Sequence, residues 1–315
     1  MLSGLGQSLR TARTEQRNLR SRGLDRKTTL AILRILNHED ASVASAVRAE
    51  LGSIARAVDA IVEALRSGGR LIYVGAGTSG RLAVLDAAEC PPTFGTPPRM
   101  VRALIAGGTR ALRQAVEGAE DSSSQGGRDA RWARISRRDA VVGLSASGTT
   151  PYVLGALVYA RRQGAVTIGV TSNRNSPLAR EPWVAIVPDT GPEVIAGSTR
   201  LKAGTAQKMI LNLLSTTSMA RLGRIYENWM IHVALTNRKL RRRGVRILEE
   251  ASGASPAAAQ RALRQSGHDL PTALVMLKTG TGPREARERL AQADGSIRKA
   301  LAAGGGSQTN TRLRR

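Results

Sequence analysis

Leu71-Ile72-Tyr73-Val74 runs directly into Gly75-Ala76-Gly77-Thr78-Ser79-Gly80-Arg81. A short apolar run of β-branched and aromatic residues, bounded by Gly68-Gly69 and Gly75, is the pattern of a strand buried on both faces of a parallel sheet. The loop behind it suits a phosphate. Gly77 lets the backbone approach an anion closely, and Thr78 and Ser79 add hydroxyl donors. A helix predicted to open at Ser79 points free N–H groups and a positive dipole end at the ligand. Pro91 predicts the end of that helix.

Gly75, Gly77 and Gly80 also fit the glycine spacing of a dinucleotide site, and that reading can be tested in the sequence. It requires an acidic residue about 20 positions on, at the end of the second strand, to hold the ribose hydroxyls. The second strand is predicted at 100–105 and ends in Ala106-Gly107-Gly108-Thr109, with no carboxylate. The loop therefore reads as a phosphate loop without a dinucleotide.

The segment after residue 70 repeats the strand, loop and helix order. Further strands are predicted at 140–144, 166–170 and 184–187, with helices near 79–88, 110–117, 152–163 and 176–179. This alternation predicts a parallel sheet covered on both faces, whose ligands sit at the carboxyl ends of the strands. Behind the third strand comes Ser145-Ala146-Ser147-Gly148-Thr149-Thr150-Pro151, with Pro151 placed to open a helix. Two hydroxyl-rich loops, each directly behind a parallel strand, point to a phosphate or sugar-phosphate site. Glu193, Ser198, Arg200, Lys202 and Lys208 follow the fifth strand. The carboxylates predicted near this edge are Glu89, Glu117, Glu120 and Asp121, apart from Asp86 and Glu193.

Upstream, residues 1–23 are polar and Arg-rich, a helix is predicted from Thr28, and Asp40 or Ser42 can cap a second. Val43, Val47, Leu51, Ile54, Val58, Ile61, Val62 and Leu65 make that second helix long and amphipathic. Downstream, 245–277 reads as a helical module and 303–315 as a flexible tail. The expected division is an N-terminal arm with helices (1–60), a sugar-phosphate domain (61–225), a helical C-terminal region (226–302) and the tail.

The balance of 48 Lys and Arg against 24 Asp and Glu gives a formal charge of +24. Such a charge attracts polyanions. The excess is nearly all Arg, spread along the chain, and aromatics are only 3% of residues. The sequence therefore reads as a solvated basic surface rather than a nucleic-acid protein. The lone Cys90 excludes an internal disulfide framework and a multi-cysteine zinc site. No apolar run approaches membrane-spanning length and no signal peptide is evident, which places the chain in the cytoplasm.

Six segments carry a family resemblance: Thr14-Glu15-Gln16-Arg17-Asn18, the loop 75–81, Ala88 to Gly95, Val116 to Asp121, Ala146 to Tyr152, and Gly191 to Lys208. Together they resemble the N-acetylmuramic acid 6-phosphate etherases, sugar isomerase (SIS) domain proteins related to the glucokinase regulatory proteins. The resemblance implies a three-layer α/β/α domain on a five-stranded parallel sheet, with a small C-terminal module similar to ubiquitin-associated domains. It implies cleavage of the D-lactyl ether of N-acetylmuramic acid 6-phosphate, no metal or organic cofactor, and a homodimer with its cleft near the subunit interface. Carried over by position, Glu89 matches the proton donor and Glu120 the second active-site acid. The substrate contacts expected are Gly77, Thr78, Ser79, Ser145, Ser147, Gly148, Thr149, Thr150, Glu193, Ser198 and Lys202. Glu89 falls at the carboxyl end of its predicted helix, where the negative dipole end suits an acid that must keep its proton.

The chain departs from the resemblance at Thr149, where Arg is usual, and at His232, where Asp is expected. The alternative function is a non-catalytic sugar-phosphate regulator, which would need neither Glu89 nor Glu120. A transcription regulator would need a helix-turn-helix, and the N-terminal helices offer no convincing one.

Overall fold

Each of five apolar runs forms a strand: β1 (Leu71–Gly75), β2 (Val101–Ile105), β3 (Ala140–Leu144), β4 (Val166–Val170) and β5 (Val184–Ile186). The computed structural model describes residues 13–235 and 237–303. The strands make one parallel sheet in the order β2-β1-β3-β4-β5. Tyr73 lies opposite Ala103 on one side and Val142 on the other. Every residue of β1 and β3 is buried, as continuous apolar strands between two helical layers must be. Burying side chains such as Ile72, Leu144 and Ile168 completely contributes roughly 1.5–3 kcal/mol each.

The chain divides into two units, Met1–Glu89 with Pro97–Ser218, and Cys90–Thr96 with Met219–Arg315. The first holds the sheet and three N-terminal helices, α1 (Thr29–Ala41), α2 (Val43–Ala49) and α3 (Leu51–Arg66). Thr28 caps α1, its hydroxyl accepting the Ala31 N–H at 3.4 Å. The single long helix expected over 43–65 is instead two, parted at Glu50 (φ −99, ψ 4). Ser42 gives α2 no side-chain cap, because its hydroxyl donates to the Glu39 carbonyl at 2.7 Å.

Behind β1, α4 runs over Gly77–Phe94. It opens two residues earlier than expected and continues through Pro91 and Pro92. Proline removes a donor but already has helical φ, so two prolines near the end cost ladder bonds without forcing a stop. The end is set by Gly95, at φ +61, whose N–H bonds the Pro91 carbonyl at 3.0 Å.

The helix expected at 110–117 is only a 3-10 turn, Gly108–Leu112. The guanidinium of Arg81 donates to the Ala111 and Gln114 carbonyls at 2.9 and 3.3 Å, taking acceptors a longer helix would use. A helix that the sequence pattern does not predict, α5 (Ser123–Trp132), follows. Its serines and glycines are poor helix formers, but they answer to the neighbouring α6 (Pro151–Arg162). A Cβ at Gly126 would stand 1.9 Å from the Tyr152 carbonyl oxygen, and one at Gly155 2.0 Å from that of Ser123. The two helices thus meet backbone to backbone.

After α6 come α7 (Pro177–Arg180) and α8 (Lys202–Arg221). The second unit continues with α9 (Arg238–Ser252), α10 (Pro256–Gln265), α11 (Leu270–Thr279), α12 (Pro283–Gln292) and α13 (Ile297–Ala302). Leu248, Ala259, Leu270, Leu274 and Ile297 share its core. Of the tail expected at 303–315, all but Ala303 lies outside the described residues, as do residues 1–12 of the arm.

Candidate active site

The chain leaves β1 toward β2 and leaves β3 toward β4, on opposite sides, so the loops behind β1 and β3 part at their carboxyl ends and open a crevice. Both predicted phosphate loops stand there. Gly77, Thr78 and Ser79 form the first turn of α4, with Gly77 exposed and the two hydroxyl residues half-buried. Across the crevice the hydroxyls of the second loop order one another. Ser145 Oγ lies 3.2 Å from Ser147 Oγ and 2.7 Å from Thr150 Oγ1, and it accepts the Gly148 N–H at 3.0 Å. Gly148 has φ +70, and a Cβ there would stand 2.0 Å from Ser176 Oγ. Thr150 makes no side-chain cap for α6. That helix start presents its N–H groups to the crevice, the arrangement that receives an anion.

The segment before α8 uses its polar groups differently. Glu193 is fully buried, and its carboxylate accepts the N–H groups of Lys202 and Ala203, both at 3.0 Å. The start of α8 is thereby capped from within the chain. Burial pushes the Glu193 carboxyl up, with the two N–H bonds and Lys202 opposing. Lys202 is buried too, and its Nζ meets Glu39 Oε2 at 2.6 Å. Ser198 is half-buried on the same segment. The first turn of α8 reaches the first loop, since a Cβ on Gly204 would lie 3.6 Å from Thr78 Cγ2.

Glu39 was not singled out by the sequence, yet it gathers the N-terminal motif. Its carboxylate accepts from Asn18 Nδ2 at 2.8 Å and Arg20 at 3.1 Å as well as from Lys202. Burial alone would raise its pKa. The hydrogen bonds from Lys202, Arg20 and Asn18 outweigh burial and hold the carboxyl below its usual range. Asn18 also donates to the Pro192 carbonyl at 3.2 Å, and the Thr14 carbonyl accepts the Gly197 N–H at 3.0 Å. The separated motifs at 14–18 and 191–202 are thus one structure. They border an open cavity of about 440 Å³ lined by Asn18, Arg20, Glu39, Thr190, Pro192 and Lys202. An acid in the last turn of α1 with no partner at helical spacing was the only available signal.

Asp86, on α4, is a further buried acid. Its two oxygens meet Tyr73 OH at 2.9 Å and Ser215 Oγ at 3.2 Å, and burial pushes its carboxyl up. One turn on, Glu89 is exposed, and α4 continues past it to Phe94. Glu89 therefore does not stand at the carboxyl end of its helix, where the sequence placed it. Glu120 is exposed in the 3-10 turn Ala119–Asp121 behind β2. Ala119 of that turn packs in the cluster that includes Tyr152 of α6. Both acids face solvent in the unit that carries the hydroxyl loops.

Residues 53–161 match the glucokinase regulatory protein N-terminal SIS domain, and residues 119–217 the SIS domain. The chain is similar to the N-acetylmuramic acid 6-phosphate etherase of Geobacillus thermodenitrificans (strain NG80-2), at 51% identity over 91% of this chain and 98% of that one. The enzyme of that name from Yersinia pestis (strain Pestoides F) is 52% identical over the same shares. The chain belongs to the N-acetylmuramic acid 6-phosphate etherase family. A phosphoheptose isomerase structure from Francisella tularensis, 19% identical, shares the fold with a TM-score of 0.50, covering 62% of this chain and 100% of that one.

The two positions that depart from the resemblance, Thr149 and His232, are both placed by the structure. Thr149 hydrogen-bonds back to Ser147, its hydroxyl donating at 3.1 Å and its N–H at 3.3 Å. Burial and then Arg224 push the His232 imidazole down, with Asp269 and a backbone hydrogen bond to Gly223 opposing, and its Nε2 is buried without a hydrogen-bond partner. No helix among the described residues is long and apolar enough to cross a membrane.

Proposed function

We propose that this chain cleaves the D-lactyl ether of N-acetylmuramic acid 6-phosphate to N-acetylglucosamine 6-phosphate and D-lactate, by elimination and then hydration. The observation that carries the reading is the 51–52% identity to etherases over 98% of their length. The two crevice loops support it by offering hydroxyls and open helix starts to a sugar phosphate.

The chemistry needs one acid and one base. With the sugar ring open, the C2 proton is acidified by the aldehyde at C1. Removing it forms the C2=C3 double bond as the C3–O ether bond breaks, and the departing lactate oxygen takes a proton. Water then adds, with hydroxide at C3 and the proton at C2. In this reading Glu89 protonates the lactate oxygen, and Glu120 handles the C2 proton or the attacking water. Thr78, Ser79, Ser145, Ser147 and Thr150 hold the phosphate end. Glu193 and Lys202 act one step back, by fixing the start of α8 beside Thr78. The lone Cys90 and a phosphorylated substrate suit a cytoplasmic setting.

Calorimetry checks the ligand class. N-acetylglucosamine 6-phosphate is expected to bind saturably and NAD to give no heat. Saturable NAD binding with silence toward the sugar phosphate would overturn the reading.

The same reading makes the protein a homodimer. Leu30, Leu33 and Leu51 stand exposed on α1 and α3, and a second copy of this chain would cover them. Light scattering at micromolar concentration is expected to give about twice the chain mass of 33.4 kDa. A stable monomer contradicts it.

A further inference from the structure

We infer that the edge of the sheet opposite the crevice is a binding surface for single-stranded nucleic acid. Two of the three tryptophans in a chain with 3% aromatics are exposed there, Trp132 at 92% and Trp183 at 62%. Trp132 ends α5, just before β3, and Trp183 directly precedes β5. In a parallel sheet all strands begin at one edge, so both rings belong to it.

Arginines surround them. Arg131 ends α5, and the turn to β3 adds Arg134, Arg137 and Arg138. Arg161 and Arg162 end α6, and Arg180 ends α7. All seven are exposed. The three turns are contiguous: a Cβ at Gly164 would lie 3.3 Å from that of Arg137, and Arg161 donates to the Glu181 carbonyl at 3.3 Å. Acids in these turns do not balance the charge. Asp139 is buried and bound to Arg70 at 2.7 Å, which leaves only Glu181 in solvent.

A cation at a helix carboxyl end complements the dipole, which accounts for Arg131, Arg161 and Arg180. It does not account for three more in the turn before β3, or for two large rings in water. Guanidinium groups bind phosphate in pairs of hydrogen bonds, and an exposed indole stacks on any base. A membrane would take such rings only beside further apolar surface. The exposed Leu and Ile residues lie elsewhere in the sequence, at 19, 30, 33, 51, 85, 112 and 195. The scarcity of aromatics spoke against nucleic acid, and their placement here speaks for it.

The test is fluorescence anisotropy with a labelled RNA of about 20 nucleotides and mixed sequence. Five phosphate contacts predict a salt slope near −3.5, so affinity should fall about 100-fold between roughly 50 and 200 mM salt. Trp132→Ala and Trp183→Ala should each weaken binding about 5- to 150-fold, and Trp132→Phe should keep most of it. Arg137→Gln with Arg138→Gln should flatten the slope by about 1.4. Thermal melting of every variant should match the parent, because these side chains are exposed. Absence of saturable binding overturns the inference. So does binding that ignores both tryptophans, or binding only to vesicles containing phosphatidylserine.

Discussion

Glu89→Gln is expected to lower turnover at least about a hundredfold while sugar-phosphate affinity stays within a factor of about three. General acid–base groups contribute about 10²- to 10⁴-fold, and an isosteric amide removes the proton transfer without removing the shape. Glu89 is exposed on α4, so the substitution leaves no buried group unpaired and the fold should hold. Glu120→Gln should show a similar loss. Exchange of the C2 proton in heavy water separates the two roles. A variant that exchanges the proton but releases no lactate has kept the base and lost the acid, and that is the expected pattern for Glu89→Gln. Normal turnover in Glu89→Gln would remove its assigned role. If Glu120→Gln were also silent, a sugar-phosphate regulator would become the better reading.

The second large effect is on stability. Glu39→Ala deprives Lys202, Arg20 and Asn18 of their shared acceptor, and the Lys202 side chain is 3% exposed. Removing one partner of a buried pair costs about 3–5 kcal/mol, because the other charge stays buried. Urea unfolding at neutral pH should show that loss, and the double replacement Glu39→Leu with Lys202→Met should recover much of it. The sign with pH follows from the depressed carboxyl. Its stabilisation is full above the unfolded value and is lost as pH falls through the folded one. Asp86 and Glu193, both raised by burial, act in the opposite sense, favouring the fold at low pH and losing that contribution as pH rises through their folded values. The Glu39 contribution is therefore read as the difference between parent and variant, which should shrink on acidification. A difference below about 1 kcal/mol at neutral pH, or one that grows in acid, contradicts the account.

The sheet was legible because strands buried on both faces cannot carry polar residues, so Leu71–Gly75 and Ala140–Leu144 appear as unbroken apolar runs. The hydroxyl loops were legible for a related reason: Gly77 and Gly148 sit directly behind those runs, where the backbone turns at positive φ. What escaped was decided by partners distant in sequence. Ser123–Trp132 lacks helical character because Gly126 is fitted to the backbone of α6. The 110–117 segment failed to become a helix because Arg81 takes its carbonyls. Glu39 is unremarkable in α1 until Lys202 and Asn18 arrive from elsewhere. The resemblance set Lys202 and Glu193 among the substrate contacts, and no spacing in the sequence announced the partners that the fold gives them, Glu39 and the start of α8.

The most direct test is D-lactate release from N-acetylmuramic acid 6-phosphate by the purified chain, with the unphosphorylated sugar and Glu89→Gln as controls. The account predicts stoichiometric D-lactate and N-acetylglucosamine 6-phosphate from the parent. The unphosphorylated sugar should give little, since the crevice loops would have no phosphate to hold, and Glu89→Gln should release at least about a hundredfold less. Tight binding of the phosphorylated sugar with no lactate released would contradict it.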